Sequence, residues 1–375
     1  MHDLGRIRQD LQETLSLDKG PVALLLGAGC PLAVRVPRAG GGTTPLIPDI
    51  AGLTQLVREQ LADDARFQAL LSQFKEDNRT EYTIEDLMSH VRLLRRIAGN
   101  GRVRGLTSAD LEFLDADLSE RVASAVEKEL PSTDTPYHHL ADWIGGTSRA
   151  VPLTLFTTNY DLLAEQALEE RGLPVFDGFV GVRKPFFDIR AIEDDDPPKR
   201  WVRLWKVHGS INWCLESGGS VIRTANRSAG TNLLIHPSEL KYDQSRRMPY
   251  LAMIDRLRAF LRQPNAFFVT VGYSFADAHL NEVIFEGLRG NPTAAGFGLL
   301  YGKASSEVGV QKVRSETRLP LNLSLVLRDE GVIRGVSAPW SSSADSSSGT
   351  VESDLGDFSV FAQFLRDLAR NPRDR

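Results

Sequence analysis

LTLFTTNYDLL, residues 153–163, is an apolar run that ends by presenting Thr157, Thr158, Asn159, Tyr160 and Asp161 in a row. The apolar half reads as a buried strand. The polar half has a plain structural explanation, because Asn and Asp favour the turn from strand to helix and Asp161 can cap the helix that follows. Three other stretches share the pattern of an apolar strand stopping at a small or polar loop. PVALLLGAG runs into Gly27, Ala28, Gly29 and Cys30, WVRLWKV runs into HGSINW at residues 208–213, and AFFVTV runs into GYSFAD at residues 272–277.

Helix-period segments separate these strands, and FGLLYG and LSLVLR read as further strands. Alternation of strands with helices predicts an α/β fold with a parallel, doubly wound sheet. Leu4, Ile7, Leu11 and Leu15 predict an amphipathic first helix. From about residue 50 to 135 the pattern is helical with no strand-like run, which predicts a helical insertion lobe. Residues 217–244 read as irregular and hairpin-rich. Residues 336–353 are rich in serine and read as a loop, and FSVFAQFLRDLAR as a closing amphipathic helix. The expected organisation is therefore a domain over 1–335, with the insertion at about 50–135, and a C-terminal segment 336–375.

Bulk composition excludes several classes. With 375 residues, 42% hydrophobic and 25% charged, the chain is an ordinary globular sequence. A net charge of −5 gives no footprint for direct nucleic-acid binding. No stretch reaches the roughly 20 apolar residues of a membrane span, and the charged N-terminus lacks the apolar core of a secretory signal, so the expected location is cytoplasmic. Two cysteines, Cys30 and Cys214, cannot build a four-cysteine zinc site. No GxxxxGK[ST] phosphate loop is present.

In an open parallel sheet, ligands bind in the crevice beyond the carboxyl ends of the strands. The four loops should therefore face one cleft. Glycines at 27 and 29 let backbone pass close to a ligand and offer N–H groups to a pyrophosphate, although Gly-Ala-Gly after a strand also serves as a plain turn. Asn159 carries both a donor and an acceptor, which suits a water or a ribose hydroxyl. His208, between an apolar strand and a glycine, can act as a general base. Asp161 is as well explained by capping as by catalysis. Gly272 and Ser274 can approach a nucleoside, while Asp277 reads as the cap of the next helix.

GAG, TTNYD, HGSINW and GYSFADAHLN, in this order over residues 22–290, resemble the sirtuin-type fold, and most of all the sirtuin-like NAD-consuming proteins of bacterial anti-phage defence. The resemblance implies a Rossmann-like sheet with a smaller helical lobe and NAD+ as substrate. It implies Asn159, His208 and Asp161 as catalytic residues. It implies a nucleotide site formed by Gly27, Ala28, Gly29, Cys30, Pro48, Asp49, Thr158, Gly209, Ser210, Asn212, Gly272, Tyr273 and Ser274. Ile47, Pro48 and Asp49 carry over from an IP-containing segment that the PRAGGG insertion displaces.

Sirtuin deacylases carry a zinc module with paired cysteines. This chain has only two cysteines, both inside or beside the nucleotide motifs, so no zinc is expected and water is favoured over an acyl-peptide as the nucleophile. The expected activity is cleavage of the nicotinamide–ribose bond, giving nicotinamide and ADP-ribose or a cyclised product. The alternatives are an NAD- or ADP-ribose-binding subunit without turnover, and a protein deacylase. Family analogy also implies a homo-oligomer, a HerA-type hexameric ATPase partner and an abortive-infection role.

Overall fold

A computed structural model describes residues 1–16, 20–38, 40–194, 197–216, 218–225, 233–235, 249–341 and 351–369. Parts of the acidic run at 193–199, of the irregular segment 217–244 and of the Ser-rich segment fall outside the described residues.

The core is a parallel sheet. Its strands lie in the order Leu323–Val326, Ala295–Leu299, Phe267–Val271, Val22–Leu26, Thr154–Thr157, Val202–Lys206 and, at the edge, the two-residue Val175–Phe176. Setting that edge aside and numbering along the chain, the order is 3-2-1-4-5-6, the doubly wound Rossmann arrangement. The direction of winding reverses between Val22–Leu26 and Phe267–Val271.

Successive side chains of a strand point to opposite faces, and here each face meets its own core. Leu24, Leu26, Leu155, Leu204 and Val269 pack with helices Leu4–Ser16, Pro136–Gly146 and Phe358–Ala369. Ala23, Leu25, Phe156, Trp205 and Phe268 pack with helices Tyr250–Leu261 and Ala278–Gly290 on the other side. Burial on both faces explains why these strands read as unbroken apolar runs. The first helix buries the four residues its spacing predicts, Leu4, Ile7, Leu11 and Leu15.

The insertion lobe comprises helices Ile50–Gln60, Ala65–Glu76, Ile84–Ala98 and Ser108–Val126. Its apolar faces join the first core. Thr83 with Asp86 and Thr107 with Asp110 form reciprocal capping boxes that fix where the last two helices start. The sequence shows no strand here, yet Arg102–Val103 pairs with Leu106–Thr107. The two residues between them, Arg104 and Gly105, have φ of 46° and 84°. Both values are positive, the conformation of the tight turn that matches strand twist.

The same Arg-Gly device corrects a second expectation. Residues 336–341 form a strand rather than a loop, paired antiparallel to Glu330–Ile333 across Arg334 and Gly335, whose φ are 51° and 77°. Trp340 is buried there and its indole N–H donates to Leu327 O at 2.9 Å. The closing helix is also part of the main body. Phe358, Phe361, Ala362 and Leu365 are buried, and the Phe358 ring meets Tyr137 edge-on at 5.1 Å.

Candidate active site

The glycine loop after Val22–Leu26 lies directly against the loop after Phe267–Val271, at the point where winding reverses. A Cβ on Gly27 would stand 2.2 Å from Gly272 O, and one on Gly29 2.8 Å from Gly272 Cα. Gly272 itself has φ of 65°, and a Cβ there would stand 2.7 Å from Cys30 N. Three glycines are thus required so that two backbones can touch. This changes the expected role of the loop: Gly27 N–H donates to Val271 O and Gly29 N–H to Gly272 O, each at 2.9 Å. The amides that the sequence reading offered to a pyrophosphate are engaged in holding the two loops together.

TTNYD folds onto this base. Thr157 Oγ1 donates to Leu26 O and accepts from Asn159 N–H, both at 3.0 Å. Asn159 Nδ2 donates to Gly27 O at 3.0 Å, so the catalytic candidate is bonded to the glycine loop itself. Asp161 closes a turn just ahead of the helix: its Oδ1 accepts from Leu163 N–H at 3.0 Å, while the cap position itself is Leu162. Burial pushes its carboxyl up to about 6, against the opposing pull of the Lys206 ammonium. Lys206, itself buried, donates to Asp161 O and, at 2.8 Å, to Glu165 Oε1.

His208 follows the Val202–Lys206 strand after a single residue, Val207. Its Nε2 lies 3.1 Å from Asp277 Oδ2, and both side chains are largely shielded. Asp277 also caps helix Ala278–Gly290, its Oδ1 accepting from Leu280 N–H at 3.1 Å.

These groups line one cavity of about 710 Å³, a size that suits a dinucleotide-sized ligand. The strand ends contribute Ala28, Gly29, Thr158, Asn159, Tyr160, Asp161, His208, Gly272, Tyr273, Ser274 and Asp277. The lobe supplies the facing wall with Pro48, Asp49, Leu53, Thr83, Glu85 and Asp86. A larger cavity, about 1050 Å³, lies at the other end of the strands beside Met1–Asp3 and Ala295–Phe297 and includes none of these residues.

Five residues predicted for the site do not line the cavity. Gly27 is packed against the backbone of Gly272 and Tyr273. Cys30 is fully buried, its Sγ directed at Val271 O at 3.3 Å, and burial pushes its thiol well up. Gly209, Ser210 and Asn212 belong to strand Gly209–Leu215 of a second, antiparallel sheet. HGSINW is therefore a loop only at His208. Ser210 Oγ donates back to Tyr160 O at 3.4 Å, and Asn212 O accepts from Thr224 N–H at 2.9 Å.

Other lining residues carried no signal in sequence. Glu85 and Asp86 come from the lobe, and Tyr301 and Glu307 from beyond Ala295–Leu299. With Asp49, Asp161 and Asp277 they give the cavity an acidic lining. Among the described residues no group of three His, Cys, Asp or Glu is placed to hold a metal ion, and both cysteines are buried as free thiols. No helix among them is long and apolar enough to cross a membrane.

The motifs meeting in this cavity have a counterpart among known families. Residues 153–316 match the SIR2-like domain. This SIR2-like stretch holds TTNYD, His208 and GYSFAD, and leaves out the glycine loop and the lobe. Among solved structures, the chain is similar to a Sir2 enzyme studied for its mechanism and regulation, at 12% identity and a TM-score of 0.36, over 81% of this chain and 88% of that one. It is also similar to a Sir2 variant described with a deacetylated p53 peptide and 3′-O-acetyl ADP-ribose, at 10% identity and a TM-score of 0.32, over 80% of this chain and 88% of that one. No curated protein matches in sequence.

Proposed function

We propose that the chain is an NAD+ glycohydrolase that releases nicotinamide and leaves ADP-ribose, and that it acts as an anti-phage effector whose activity is switched on within an assembly. The observation that carries this reading is the placement of Asn159 and His208 in one cavity at the winding reversal of a doubly wound sheet, within a stretch that matches the SIR2-like domain.

The chemistry asks little of the protein. The pyridinium of NAD+ is already a good leaving group, and departure of nicotinamide leaves an oxocarbenium-like ribose. Carboxylates around the cavity favour that positive charge electrostatically. Asn159, fixed by its bond to Gly27 O, orients the attacking water, and His208 takes a proton from a ribose hydroxyl or from that water. Binding without turnover is the second reading. A deacylase is the third, and neither buried cysteine offers itself to a zinc module.

The family analogy extends to partners, a second copy of the chain and a HerA-type hexameric ATPase, and to action in the cytoplasm. The direct test is chromatographic detection of nicotinamide from NAD+ and purified protein, alone and with the ATPase. Asn159→Ala and His208→Ala should abolish release, and the second product separates hydrolysis from cyclisation. NAD+ binding without release under every condition would replace this reading with the binding-subunit one.

A further inference from the structure

We infer that Asp277 is a positioning residue for His208, holding the imidazole proton on Nε2 so that Nδ1 is the basic nitrogen. The inference rests on the reading of His208 as the base. Asp277 Oδ2 lies 3.1 Å from His208 Nε2. A carboxylate only accepts, so a bond across this 3.1 Å approach uses a proton on Nε2 and favours that tautomer. A base oriented by a third group is the general form of an activated catalytic pair.

The carboxylate is itself held on both sides. Its other oxygen accepts from Leu280 N–H at 3.1 Å, which ties it to the start of a 13-residue helix. The backbone under it is braced by a small buried network. Tyr273 Oη donates to Asn281 Oδ1 at 2.7 Å and lies 3.3 Å from Asp277 O. Asn281 Nδ2 donates to Phe275 O at 2.7 Å, supporting Phe275 in its positive φ of 58°. A helix cap alone requires none of this bracing. The network gives the carboxylate one position, and the imidazole one orientation follows.

The capping role gives the test its control, because Asn caps as well as Asp. In Asp277→Asn the side-chain oxygen can keep Leu280 N–H, which turns an NH2 group toward His208 and favours the opposite tautomer. Nitrogen-15 spectra of the His208 ring, recorded on the full chain without substrate, should show protonated Nε2 in the native protein and protonated Nδ1 in Asp277→Asn. With NAD+, kcat should fall roughly 100-fold or more with KM changed by less than about threefold, as expected for a base held in the wrong tautomer. Asp277→Ser, which keeps a cap but cannot reach the ring, should lose a comparable factor. If Asp277→Asn keeps the Nε2 tautomer and native kcat, Asp277 is a helix cap only and the inference falls. If the native protein releases no nicotinamide but the tautomer still switches, the proposed activity fails and the positioning role stands.

Discussion

Tyr160 Oη donates to Glu85 Oε1 at 3.1 Å, so the residue next to Asn159 is anchored in the first turn of a lobe helix, not in the sheet domain. Burial, and then the Glu85 carboxylate, push the Tyr160 phenol well up, which keeps it protonated as the donor. The lobe is therefore tied to the TTNYD loop through a charge-assisted bond. Tyr160→Phe should lower stability by about 1.5–3 kcal/mol, the range for a hydrogen bond to a charged partner. Glu85→Gln, which preserves an acceptor, should cost less. Urea midpoints of the two variants check the ordering. A Tyr160→Phe protein as stable as the native one would show that the lobe and loop are held by packing alone.

The contact between the two strand-end loops makes a sharper steric statement. Gly27→Ala would drive a methyl group to 2.2 Å from Gly272 O, with backbone on both sides and no flexible side chain to give way. The expected result is loss of the folded state, or destabilisation of at least about 3 kcal/mol. Gly20→Ala is the control, since its nearest neighbour would be Asn265 O at an ordinary 3.8 Å. Thermal unfolding should leave Gly20→Ala within about 0.5 kcal/mol of the native protein.

Lys206 gives a third prediction. It is 2% exposed and is held by Asp161 O and Glu165 Oε1, while Glu165 Oε2 is buried with no hydrogen-bond partner among the described residues. Removing only the ammonium in Lys206→Met leaves a shielded carboxylate unpaired and should cost about 3–5 kcal/mol. Adding Glu165→Leu should recover a large part of that loss. Additive losses in the double variant, measured by denaturant unfolding, would contradict the pairing.

What sequence disclosed and what it hid divide along a physical line. Strands buried on both faces have no polar alternation, so VALLL and FFVTV announce themselves, and the small polar residues at their ends mark the cleft. Spatial order does not follow from such runs: nothing local says that Phe267–Val271 lies beside Val22–Leu26. HGSINW misled because glycine, serine and asparagine resemble a loop, while its pairing partners Val221–Arg223 and Leu233–Ile235 supply the strand context. Asp277 had a complete local explanation as a cap, which concealed its partner 69 positions earlier. Glu85 carries no local signal, and only the fold of the lobe brings it against Tyr160.

Asp161 ties the site to pH. Its carboxyl stands at about 6 in the folded chain against an ordinary 3.8, so the folded state holds the proton more tightly than the unfolded state. The unfolded chain releases this proton first as pH rises, so stability is lost between about pH 4 and 6 and the full cost remains above that window. A shift of about two units corresponds to roughly 3 kcal/mol in all. Asp161→Asn keeps an acceptor for Leu163 N–H and carries no titrating proton. Its stability relative to the native protein should therefore rise by roughly 2 kcal/mol between pH 4.5 and pH 7.5, the part of the titration that falls in that interval. Urea unfolding at the two pH values reads this difference directly. A constant gap would mean that Lys206 holds Asp161 ionised across the whole range, and that the buried carboxyl titrates as an ordinary one.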